Sequence, residues 1–190
     1  MDLLGLAPHF GQGRFMVICP QGEVNVPTGD FPPGYGWFHL ETTGSLILAP
    51  TIEEIVAALS RLTEFLNEAM ESYPIHPKRL VVLGFSQGGV MAYGLGLGNP
   101  SRFRGIAALS SWLAPELAKK VIHSSEREGL RALVHHGLRD PLVDVSKARE
   151  SVDILRAVKA DVTYREYEMG HEITSESLLD LTRWLEETLQ

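Results

Sequence analysis

Leu80-Val81-Val82-Leu83-Gly84-Phe85-Ser86-Gln87-Gly88-Gly89-Val90 reads as a short apolar strand, a serine between glycines, and the first turn of a helix. That order matters more than the Gly-x-Ser-x-Gly string, because a serine on a sharp strand-to-helix turn needs small residues two positions away on either side. The turn lifts the hydroxyl above the sheet edge. It also brings the backbone N–H of Gln87 to the helix start, where it can meet a developing oxyanion. The plainer reading is a tight strand-to-helix connection with Ser86 as a helix cap. Residues further along the chain decide between the two.

Outward from this stretch, strands and helices alternate. Arg14 to Pro20 is a continuous apolar run expected to form a buried strand, and Cys19 within it is expected to be a buried, inert thiol. Gln21 to Pro50 is a long Gly- and Pro-rich loop carrying Phe31, Tyr35, Trp37 and Phe38, an arrangement suited to one wall of a pocket or to pinning the loop on the core. Thr51 and Glu54 form a capping box ahead of Ile55, Leu59, Leu62, Leu66 and Met70, which predicts a helix to about Tyr73. A helix from 87 to about 98, strands at 103–110 and 131–136, a helix over 144–160, a strand at 162–167 near a sheet edge and a last helix over 175–189 complete the pattern. Residues 111–129 stay ambiguous between a short helix, surface, and a lid. Five strands in all are expected, in a mostly parallel sheet with helices on both faces.

The 190 residues suit one domain spanning 1–190, and the apolar fraction of 44% with 22% charged residues is that of a folded globular chain. A net charge of −7 without a basic stripe argues against nucleic acid as a partner. The first residues have no basic, apolar leader, no run is long enough to span a bilayer, and the lone cysteine excludes an intrachain disulfide; a cytoplasmic setting is expected.

Functional residues of such a sheet gather beyond the carboxyl ends of its strands. Ser86, Asp140 and His171 each follow a predicted strand there, and their chain order is that of an α/β-hydrolase triad. Ser86 needs an imidazole to take its proton; His171 would supply it, and Asp140 would orient the imidazole. Asp140 before Pro141 also suits a plain turn residue. His9, His39, His76, His123, His135 and His136 read as structural or surface. A metal site from His135, His136, Asp140 and His171 is the alternative use of these side chains, but it leaves the Gly84-Ser86-Gly88 turn without a purpose.

Gly84-Phe85-Ser86-Gln87-Gly88-Gly89, His136-Gly137-Leu138-Arg139-Asp140-Pro141-Leu142-Val143 and Met169-Gly170-His171 together resemble the three signature blocks of the phospholipase/carboxylesterase family of α/β-hydrolases, which includes acyl-protein thioesterases. The resemblance runs from about Leu3 onward. It implies an α/β-hydrolase fold and a cytosolic serine carboxylesterase acting on short- to medium-chain acyl esters without cofactor or metal. Ser86, Asp140 and His171 match the triad, the Gln87 N–H matches one oxyanion donor, and Trp37, Phe38, Phe85 and Met169 are expected to line the substrate pocket. The alternatives are an acyl-protein thioesterase or lysophospholipase, and a catalytically weakened binding protein. The family's first strand and His-Gly loop, which supply the second oxyanion donor, have no counterpart in the sequence, so an N-terminally shortened sheet is expected. The second donor would then come from the Gly34-Tyr35-Gly36 loop, water, or a partner subunit in a homodimer covering the exposed sheet edge.

Overall fold

The computed structural model describes residues 3–26, 34–39, 41–43, 46–48, 50–123 and 129–190. Phe31 of the aromatic loop and residues 124–128 of the ambiguous stretch lie outside the described residues. A 3-10 helix over Leu3–His9 leads into two small antiparallel pairs, β1 (Val24–Val26) with β2 (Gly34–Gly36) and β3 (Glu41–Thr43) with β4 (Leu46–Leu48). The loop expected over 21–50 therefore contains hairpin-like pairing. Helix α1 (Ile52–Ser72) follows, then β5 (Val81–Phe85), α2 (Gln87–Gly98), β6 (Gly105–Leu109), α3 (Pro115–Val121), β7 (Arg131–Gly137), α4 (Val145–Ala157), β8 (Asp161–Tyr167) and α5 (Ser175–Leu189).

Strands β5, β6, β7 and β8 pair in that order, all parallel. Successive residues point to opposite faces of a sheet, so each strand must be apolar on both. Ile106, Ala108, Ala132 and Val134 face one side, where they pack with Ile55 and Leu59 of α1, Val90 and Leu97 of α2, Leu117 of α3, and Val152 and Leu155 of α4. Ala107, Leu109 and Leu133 face the other, against Phe10 and against Leu181, Trp184 and Leu185 of α5. This is the parallel sheet with helices on both faces that the alternation of strands and helices predicts, and among the described residues β8 pairs on one side only, with β7.

The helix starts follow from local chemistry. Thr51 Oγ1 accepts from the Glu54 N–H at 3.2 Å while Glu54 Oε2 accepts from the Thr51 N–H at 3.0 Å, so the predicted capping box is present. Pro115 sits in the first turn of α3, and Leu117, Ala118 and Val121 bury one side of it, which resolves the first part of the ambiguous stretch as a packed helix.

The run from Arg14 to Pro20 differs from expectation. Residues 16–20 belong to no strand, and the parallel sheet has four strands among the described residues. Phe15 and Val17 pack on the α5-side cluster while Met16 and Ile18 are exposed, so the period-two pattern persists. Alternation sets which side chains are buried, but a strand also needs a neighbouring backbone to take its hydrogen bonds. Cys19, expected to be buried, is exposed: the alternation ends at Ile18.

His135, on β7, is 1% exposed, and its Nε2 lies 3.2 Å from Tyr167 Oη, which donates to Asp180 Oδ2 at 3.0 Å. Burial pulls this imidazole down to about 4 from an ordinary 6.5, with the nearby Asp180 opposing the shift. Below pH 6.5 the unfolded chain protonates first, so stability falls as pH drops from 6.5 towards 4. His135 should contribute up to about 3 kcal/mol to that loss. Denaturation midpoints of wild type and His135→Phe between pH 7 and 4 check this: the variant should show the shallower acid slope.

Candidate active site

Ser86 joins β5 to α2 with φ 52° and ψ −121°, a backbone conformation that costs a non-glycine residue energy and persists where its surroundings hold it. The restraint comes from both sides of the turn. The Ser86 N–H donates to Leu109 O at 2.9 Å, extending the ladder with β6, and the Ser86 carbonyl accepts from the Gly89 N–H at 2.9 Å inside α2. A methyl group on Gly84 would lie 2.0 Å from the Gly88 carbonyl carbon, so the strand can return beneath its own helix only with glycine there.

Asp140 lies three residues beyond β7. Its Oδ1 accepts from the N–H groups of Leu142 and Val143, each at 2.9 Å, and its Oδ2 is 2.8 Å from His171 Nδ1. The turn reading and the triad reading thus use different oxygens of one carboxylate. Burial raises its pKa, but the Val143 N–H, His171 and the Leu142 N–H outweigh burial and hold Asp140 below the usual carboxylate range. With Oδ2 as acceptor, Nδ1 of His171 carries the proton and Nε2 is left to receive one.

His171 follows β8, its side chain 13% exposed, and its ring packs against Phe85 with centroids 4.7 Å apart at 54°. Phe85 is the residue before the serine. The fold therefore brings Asp140 to His171 directly and sets the His171 imidazole beside the Ser86 turn.

Of the other expected site residues, Trp37 lies at the turn: its N–H donates to Gln87 Oε1 at 2.9 Å, and its Nε1 is 3.9 Å from where a Gly88 methyl would sit. Sequence reasoning gave Gln87 a role only through its backbone; its side chain ties the Trp37 backbone to the start of α2. The Gly34-Tyr35-Gly36 stretch is strand β2, with Gly36 close against the Gln87 amide. Phe38 is 1% exposed, sits in the core cluster and meets Trp112 edge-on. Met169 is likewise buried at 4%, its carbonyl accepting from the Arg139 N–H. A recess of about 160 Å³ between residues 20–23 and α1 includes Trp37 and none of Ser86, Asp140 and His171.

The metal alternative would need His135, His136, Asp140 and His171 to face one point. His135 turns to Tyr167, while His136 Nε2 lies 2.8 Å from Val143 O, and among the described residues no three His, Cys, Asp or Glu side chains converge as a metal-holding group.

The phospholipase/carboxylesterase family profile matches residues 10–189. The chain belongs to that family. Relatives include acyl-protein thioesterase 1 of Gibberella zeae, 31% identical over 90% of this chain and 74% of the relative, and acyl-protein thioesterase 1 of Mycosarcoma maydis, 30% identical over 99% and 83%. Among solved structures, a Bacillus cereus carboxylesterase superposes with a TM-score of 0.80 at 21% identity, covering 98% of this chain and 82% of that one. A carboxylesterase from Mesorhizobium loti gives 0.76 at 22% identity over 97% and 81%. These likenesses establish the fold, and family membership places the chain among hydrolases of esters and thioesters.

Glycine at 84 is a packing requirement of this family member's turn, whereas the space at 88 is open. Gly84→Ala should cost about 3 kcal/mol or more in chemical denaturation, and Gly88→Ala should stay within about 0.5 kcal/mol of wild type.

Proposed function

We propose that the chain is a serine carboxylesterase that hydrolyses short- to medium-chain acyl esters through Ser86, His171 and Asp140. The observation that carries this reading is the 2.8 Å approach of His171 Nδ1 to Asp140 Oδ2, with the imidazole packed on Phe85 next to Ser86. Ser86 Oγ attacks the ester carbonyl carbon as its proton passes to His171 Nε2. Asp140 keeps the Nδ1 proton in place and offsets the positive charge that appears on the ring. The carbonyl oxygen, now negative, accepts from the Gln87 N–H at the start of α2. Collapse of the intermediate breaks the bond to the leaving oxygen, which takes the proton from Nε2. Water then repeats the sequence on the acyl-serine and releases the carboxylic acid. No cofactor enters these steps.

A thioesterase or lysophospholipase activity is the second reading, favoured by the relatives' names and by Leu138 and Leu142, which flank Asp140 and are 40% and 58% exposed. Apolar surface beside the reacting groups suits a longer acyl chain. The reading takes residues 1–190 as one hydrolase domain in the cytoplasm, a reducing compartment that suits a chain with a single exposed cysteine. Its partner is a second copy. Among the described residues β5 pairs on one side only, with β6, and Val81, Val82 and Leu83 are half-buried there, so a homodimer would cover this edge.

A p-nitrophenyl ester and thioester series of increasing chain length should give steady turnover, highest for short and medium esters. Ser86→Ala should lower kcat on the order of 10⁴-fold or more and abolish labelling by a fluorophosphonate. Turnover that survives Ser86→Ala sinks the triad; rates that climb through the longest thioesters move the assignment to the second reading. Light scattering at micromolar concentration should show a species of twice 21.0 kDa, and the monomer alone would remove the dimer.

A further inference from the structure

We infer that His136 is a positioning residue that aims Asp140, an inference that rests on the hydrolytic reading of Asp140 and His171. His136 is the next-to-last residue of β7 and is fully buried. Its Nε2 lies 2.8 Å from Val143 O and 3.5 Å from Asp140 Oδ2, the oxygen that also faces His171. Both neighbours are acceptors, so Nε2 carries the proton. Nδ1 is then bare and buried, with no hydrogen-bond partner among the described residues.

The gain lies in the turn. Val143 is held at both backbone groups, its N–H by Asp140 Oδ1 and its carbonyl by His136 Nε2. The Leu142 N–H holds the same Oδ1. With Oδ1 committed to the turn and the turn fastened to β7 through His136, Oδ2 has one direction left, towards His171 Nδ1.

Three variants separate aiming from filling. Glutamine reaches the Nε2 position with an amide N–H, asparagine reaches only the Nδ1 position, and leucine donates nothing. His136→Leu and His136→Asn should lower kcat for p-nitrophenyl esters by on the order of 10- to 100-fold with KM within about twofold, and His136→Gln should recover most of the loss. The low-field proton resonance of the His171–Asp140 hydrogen bond should persist in wild type and His136→Gln and move or vanish in the other two. Equal kcat for the glutamine and asparagine variants, or an unmoved resonance in His136→Leu, would overturn the inference. If the variants do not fold, ¹⁵N-histidine spectra of the wild-type protein decide it: His136 protonated at Nε2 supports the inference, and protonation at Nδ1 ends it. Should the wild-type protein turn over no ester and resist the fluorophosphonate, the hydrolytic reading fails, while the resonance and the His136 tautomer still report whether His136 holds Asp140.

Discussion

The close approach of the chain beyond β7 to the chain beyond β8 is the constraint on which the site depends. A methyl on Gly137 would sit 2.3 Å from Gly170 O and 2.4 Å from Met169 O, so the two segments meet backbone to backbone. The Leu138 N–H donates to Tyr167 O at 2.8 Å and the Arg139 N–H to Met169 O at 3.1 Å, continuing the parallel ladder past the ends of its strands. Only because these backbones run together do Asp140 and His171, 31 residues apart, come within 2.8 Å.

The same device recurs at the other strands. The Ser86 N–H reaches Leu109 O and the Ser110 N–H reaches His135 O, each at 2.9 Å, so β5 and β6 both extend the ladder one residue before turning. Both turning residues have positive φ, 52° at Ser86 and 45° at Ser110. Two neighbouring non-glycine positions in this conformation are tolerated because the sheet fixes the chain before each turn and, at Ser86, the helix fixes it after. Burial and hydrogen bonding, not flexibility, place Ser86, Asp140 and His171.

Much of the architecture was legible along the chain. The apolar runs of β5 to β7 and the capping box of α1 are local signals: periodicity chooses the element and capping chemistry its start. The Gly84-Phe85-Ser86-Gln87-Gly88 turn was legible because few residues tolerate its geometry. Arg14 to Pro20 was misread because an apolar run specifies burial but not the partner that would make it a strand. The place of Phe38 stayed open along the chain for a related reason. An aromatic residue in a Gly- and Pro-rich stretch suits a pocket wall and the core equally well, and only packing against Trp112 separates the two.

By itself, then, the sequence determined the alternation of strands and helices, the serine turn and the residue types able to move a proton, since these follow from neighbours in the chain. Tertiary structure alone decided which oxygen of Asp140 faces His171, that His136 closes the turn behind it, that Gln87 fastens Trp37, and that Cys19 is exposed. Those are relations between residues distant in sequence, set by the order in which parallel strands are laid side by side, and spacing along a chain does not encode a direction in space.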